Sequence, residues 1–142
     1  MKTFQLTPDM LTMSGVFYPK GYAFVMFPNA DDAAQVAHAV DSYLADHPNK
    51  KSDEEAVVML LTPQQVLKDI GKADGESDVE LPSIGTEGAT VNRYVKLARE
   101  GHSALMVKVH SDEETEHVMA RVRVVPFSYG QRYHLLAMED LE

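Results

Sequence analysis

The sequence predicts an α+β fold of the ferredoxin-like kind, a tandem βαβ unit with a four-stranded sheet, two long helices and two short inserted helices. Short apolar runs bounded by Gly, Pro or polar residues alternate with stretches of helical period. Two of these units repeat: "AFVMFPNADDAAQV", starting at Ala23, and "ALMVKVHSDEETEHV", starting at Ala104, both read as strand, tight capped turn and acidic helix start. In the strands, both alternating sets of side chains are largely apolar. Tyr22, Phe24 and Met26 oppose Ala23, Val25 and Phe27, whereas a half-exposed sheet would alternate apolar with polar. Both faces of the sheet therefore require cover, one from the long helices and the other from the inserted helices or a second subunit.

"GYAFVMFP", residues 21–28, is the first strand. Over 30–46, Ala33, Val36, Ala37, Val40, Tyr43 and Leu44 form one stripe, and Asp31 and Asp32 lie in the first turn, where the helix dipole favours acids. After the polar hinge "HPNKKSDEE", "AVVMLL" is the second strand. Thr62 as N-cap, Pro63 at the first helical position and Gln65 closing a capping box start a short helix that ends at Gly71. "KADGESDVELPSIGTEG" has no period and is rich in acids, Gly and Pro, so an exposed and mobile loop is expected. From Ala89, Val91, Tyr94, Val95 and Ala98 share one helical face, and Gly101 suits a left-handed cap. "SALMVKV" is the third strand. Ser111 and Glu114 frame a capping box for a last helix, whose inward stripe of Thr115, Val118, Met119 and Val122 runs until Pro126. "YHLLAM", residues 133–138, is the fourth strand, entered through an aromatic loop in which Gly130 allows the turn.

The chain of 142 residues fits one domain, 1–142, long enough to bury a core without a staple. The absence of cysteine excludes disulfides, thiolate metal sites and cysteine nucleophiles. A net charge of −9 repels a phosphate backbone, and Lys and Arg are scattered, so nucleic acid is not an expected partner. No run approaches the length of a membrane span, and the N-terminal stretch is broken by Gln5, Pro8 and Asp9. A cytoplasmic protein without membrane contact is expected.

His102, His110 and His117, with Glu113 and Glu114, are of metal-binding types, but their spacing is not that of a site. His117 projects opposite the apolar stripe of its helix, as an ordinary surface partner of Glu113. "GTEGAT", 85–90, lacks the lysine of a phosphate loop and reads as a helix entrance; Ser128 lies in no nucleophile elbow. No metal, cofactor or catalytic residue is expected. "FSYGQRYH" leaves two readings, an aromatic staple for the C-terminus or the rim of a pocket. In the second, Tyr94, Tyr129, Arg132 and His134 offer hydrogen bonds to a small polar ligand.

The strand and helix units "GYAFVMFPNADDAAQVAHAV", "AVVMLLTPQQVLKDI" and "VNRYVKLAREGHSALMVKVHSDEETEHVMARV" resemble the bacterial heat-induced general stress protein domain family. The shared features are an acidic helix start after a strand, at 30–33, and a helix ending in Gly before an apolar strand, at 99–109. The resemblance implies a small α+β fold and a stress-related setting, and carries over no catalytic residue. The expected function is a non-enzymatic domain, a homodimer through a sheet face or edge, acting by protein contact or small-ligand binding. The alternative is a small enzyme whose cleft uses His134 with Tyr129 or Tyr133 as acid and base.

Overall fold

The computed structural model describes residues 1–48, 56–71 and 85–142. Its elements follow the order β1 (Lys2–Thr3), a 3₁₀ turn (Pro8–Met10), β2 (Tyr22–Phe27), α1 (Ala30–Asp46), β3 (Val58–Leu61), α2 (Pro63–Gln65) running on as a π turn (Val66–Ile70), α3 (Gly85–Arg99), β4 (Ser103–Lys108), α4 (Asp112–Val122), β5 (Tyr129–Tyr133) and β6 (Met138–Asp140). The sheet is mixed, open and six-stranded, in the order β1-β3-β4-β2-β5-β6. β1 runs parallel to β3, and every other pairing is antiparallel. The α+β class holds. The four-stranded ferredoxin-like description does not, because two short edge strands, β1 and β6, extend the sheet.

Both sheet faces are closed by the chain itself. On one face, Ala23, Val25, Phe27, Val58, Leu105 and Val107 meet Ala33, Val36, Ala37, Val40 and Leu44 of α1 and Val118, Met119 and Val122 of α4. On the other, Phe24, Met26, Met59, Leu61 and Met106 meet Val66 and Ile70 of the π turn, Val91, Tyr94 and Ala98 of α3, and Phe4, Met10 and Phe17 from the N-terminal segment. Each fully buried large apolar side chain contributes about 1.5–3 kcal/mol. The second cover comes from the inserted helices together with residues 4–17, so no subunit is needed to close either face.

The helix starts follow from local chemistry. Asn29 Oδ1 accepts from the backbone N–H groups of Asp31 and Asp32 at 2.8 and 3.1 Å, and α1 spans the expected 30–46. At α2, Thr62 Oγ1 accepts from Gln65 N at 3.2 Å while Gln65 Oε1 accepts from Thr62 N at 2.8 Å, a complete capping box. At α4, Ser111 Oγ accepts from Glu114 N, but Glu114 reaches back one residue further than expected, to the N–H of His110 at 3.1 Å. Gly101 takes φ +92° behind α3, as a left-handed cap requires. One expectation changes at the other end of α3. Residues 85–90 form its first turns and are no separate entrance loop, while the rest of the expected acidic loop, 72–84, lies outside the described residues.

The last strand differs most. The expected strand 133–138 is instead a turn: Tyr133 pairs with Met138, His134 N donates to Ala137 O at 2.8 Å, and Leu135 and Leu136 stand exposed between them. The strand itself is the polar "YGQRY", which the sequence assigns largely to a loop. Its interior position is possible because each polar side chain has a partner. The Gln131 amide donates to Asp140 and to the Tyr129 hydroxyl, and Arg132 reaches Asp112 Oδ1 at 2.5 Å. Gly130 serves close packing within the strand, not a turn, since a Cβ there would stand 3.0 Å from Leu141 Cβ.

Gly71, which follows the π turn, lies close against Val95 of α3. A Cβ added to it would come within 2.8 Å of Val95 Cγ2 and 3.1 Å of Leu67 O, although its φ of −86° suits any residue. Gly71→Ala is therefore expected to lower unfolding free energy in urea by about 1–3 kcal/mol through overpacking. Adding Val95→Ala should restore part of that loss. Equal stability of Gly71→Ala and the parent would contradict this contact.

Candidate functional site

The sequence had placed Tyr94, Tyr129, Arg132 and His134 around one pocket. In a strand, successive side chains leave opposite faces, so the true extent of β5 separates them. Tyr129 and Tyr133 project toward α3, and the Tyr129 ring lies 5.8 Å from that of Tyr94, with the Arg93 guanidinium over it at 4.6 Å. Arg132 projects toward α4 and pairs with Asp112. His134 lies in the β5–β6 turn, where Nε2 meets Glu139 Oε1 at 2.9 Å. The structure thus brings Tyr94 and Tyr129 together and leaves Arg132 and His134 elsewhere.

Tyr94 is fully buried, and its hydroxyl and that of Tyr133 share a 2.6 Å hydrogen bond. Phe24 lies 4.1 Å from the Tyr94 ring, and Phe17 and Tyr18 meet Tyr133 edge-on at 6.3 and 4.9 Å. Burial, then the charge and the hydrogen bond of the neighbouring Tyr133 phenol, push the Tyr94 pKa well above its ordinary value. A phenol so closed off is a packing element tying α3 to β5.

The histidines fall into separate places. His117, exposed, stands 3.9 Å from Glu113, the surface pairing expected. His110 Nδ1 meets Glu114 at 3.0 Å. His102 Nδ1 lies 2.9 Å from Ser128 Oγ, the one serine–histidine contact near the aromatic segment. Ser128 gives its hydroxyl proton to Met26 O at 3.0 Å, so His102 acts as donor to Ser128. A nucleophile would need the opposite direction. On the far side of α1, the Tyr43 ring is stacked by His47 and His117 and capped by the Arg121 guanidinium at 3.8 Å, which fastens α1 to α4.

The opening that sequence reasoning missed is at one end of the sheet. Leu11 bridges to Phe17, and Thr12 accepts from Gly15 N, making a tight loop with Met13 at its tip. This loop faces the β5–β6 turn across a cleft of about 650 Å³, lined by Leu11, Met13, Tyr18, Lys20, Leu136 and Met138 among others. Tyr18 clamps the two sides together through a 2.7 Å hydrogen bond from its hydroxyl to His134 O. Met13 is fully exposed, and Leu135 and Leu136 are 73% and 93% exposed. The only sequence signal was "LL" inside a segment read as strand, and a strand reading buries it.

Comparisons with protein-family models, with curated proteins and with solved structures found no match. Among the described residues, no helix is long and apolar enough to cross a membrane.

The raised Tyr94 pKa sets a sign for alkaline stability. Below about pH 10 the phenol is neutral in both states; above it the unfolded chain ionises first, so stability falls by up to about 1.4 kcal/mol per pH unit until Tyr94 itself ionises. Tyr94→Phe should cost about 1 kcal/mol at neutral pH and make the fall above pH 10 shallower in urea unfolding curves. An unchanged slope would mean that Tyr94 ionises as readily folded as unfolded.

Proposed function

We propose that this chain is a non-enzymatic binding domain whose working surface is the cleft between the Met13 loop and the β5–β6 turn. The observation that carries the reading is the exposure of Met13, Leu135 and Leu136 around one opening. Exposed apolar residues scattered singly are ordinary, whereas a cluster at the rim of a cleft is the usual sign of an interaction site. Methionines at the rim, Met13 and Met138, adapt readily to an apolar guest. None of the described residues holds a buried side-chain nitrogen or oxygen without a partner.

The small-enzyme alternative has less support. The acid and base it requires are engaged separately, His134 with Glu139, Tyr133 with Tyr94 and the Tyr129 hydroxyl with Gln131. The homodimer is expected through a sheet face or edge, and the chain itself covers both faces. Self-association would use the Met13, Leu135 and Leu136 end instead. The stress-related setting rests on the resemblance of the strand and helix units alone.

Leu135→Ser with Leu136→Ser alters exposed turn positions, so unfolding free energy should change by less than about 1 kcal/mol. The neutral dye Nile red should lose most of its emission enhancement on the double variant. Any self-association seen by light scattering at micromolar concentration should weaken as well. Unchanged dye binding with a large loss of stability would assign the turn to packing and overturn the reading.

A further inference from the structure

The charge and chemistry of the cleft narrow what it binds. Its lining includes no Asp or Glu, although the chain carries 22 acids and a net charge of −9. Its one charged residue is Lys20, which is exposed at the mouth. Among the described residues the Lys20 ammonium makes no hydrogen bond or ion pair. Nearby carboxylates are already engaged: Asp9 is held below the usual carboxylate range first by its bond to Thr7, with Lys20 a minor influence, and Glu139 pairs with His134. The other polar groups of the lining serve the protein itself. Thr12 Oγ1 accepts from Val16 N at 3.1 Å and contacts Ser14 Oγ, and the Tyr18 hydroxyl donates to His134 O. The remainder is aliphatic: Leu11, Met13, Leu135, Leu136, Ala137 and Met138.

We infer that the cleft takes a small anionic amphiphile, an aliphatic chain lying along the leucines and methionines with its carboxylate against Lys20. This rests on the binding-domain reading above and adds the ligand class. The polarity of the guest follows from the lining, since an anionic head gains a charge-assisted contact with Lys20 at the mouth that a neutral one lacks, and a cationic one would be repelled by it. The volume of about 650 Å³ lies within the range of small-molecule sites. The overall negative charge does not oppose this at close range, because exposed charges beyond about 8 Å are largely screened at physiological salt.

Decanoate and 1-decanol, which share a chain and differ in charge, separate the two parts of the inference when titrated calorimetrically into the full chain. Decanoate is expected to bind about tenfold more tightly than decanol, as one charge-assisted contact provides. Lys20→Gln should remove that preference and leave decanol binding unchanged, while Leu135→Ser with Leu136→Ser weakens both. Equal affinity for the two ligands, or a preference that survives Lys20→Gln, would overturn the anionic assignment while leaving the Nile red result to judge the binding reading. Binding of neither ligand would also overturn it. Co-sedimentation with neutral phosphatidylcholine vesicles would overturn it in favour of a lipid surface.

Discussion

A β layer that is apolar on both sides must be covered twice, and most of this structure is the solution to that constraint. Water against Phe24, Met26, Met59 and Met106 would cost as much as water against Val25, Leu105 and Val107. The repeated units supply one cover, with α1 and α4 lying on the same face because each follows a strand through the same tight capped turn. They leave the opposite face bare. The insertion between β3 and β4 and the first residues of the chain close it together, Phe17 meeting Phe24 edge-on and Tyr94 lying 4.1 Å from the same ring.

The second cover has a consequence for β5. Tyr94 and Tyr133 meet through their hydroxyls inside the cover, so each phenol provides aromatic area and still satisfies its oxygen. The same strand carries Gln131 inward and Arg132 toward the other face, both paired with acids from neighbouring elements. A polar strand in this position brings directional contacts that an aliphatic strand would lack. Those contacts fix its register against β2, where Val25 faces Gly130, and Leu141 packs so closely that a Cβ there would stand 3.0 Å from Leu141 Cβ.

With both faces covered, three of the exposed large hydrophobics among the described residues, Met13, Leu135 and Leu136, gather at the end of the sheet. Met13 and the Leu135–Leu136 pair are carried on tight turns whose backbone bonds hold without them, and Tyr18 ties one turn to the other. The binding reading proposed above rests on this arrangement: the groups lining the cleft are largely aliphatic, with a single lysine at the mouth. Among the described residues, His102, His110, His117 and His134 each have a separate local partner.

The sequence alone determined the elements whose causes are local. The stripe from Ala33 to Leu44, the Thr62–Gln65 capping box, the Gly101 cap and the inward face of α4 are all set by residues within a few positions of one another, and all are found as expected. The demand for cover on both faces was also legible, because period-two alternation is a local property. What covers the second face was not, since residues 4–17 reach it only through folding. Nor was the last hairpin: "YHLLAM" is the more apolar choice for a strand, and "YGQRY" becomes one because Asp140, Asp112 and Leu141, brought near by the fold, satisfy its amide, its guanidinium and its glycine. That shift of register scattered Arg132 and His134 from the tyrosines and put two leucines at a turn tip. Local propensity is carried by neighbours in the chain, whereas the partners that permit a buried polar strand, and the cleft that an exposed turn creates, exist only once distant segments meet.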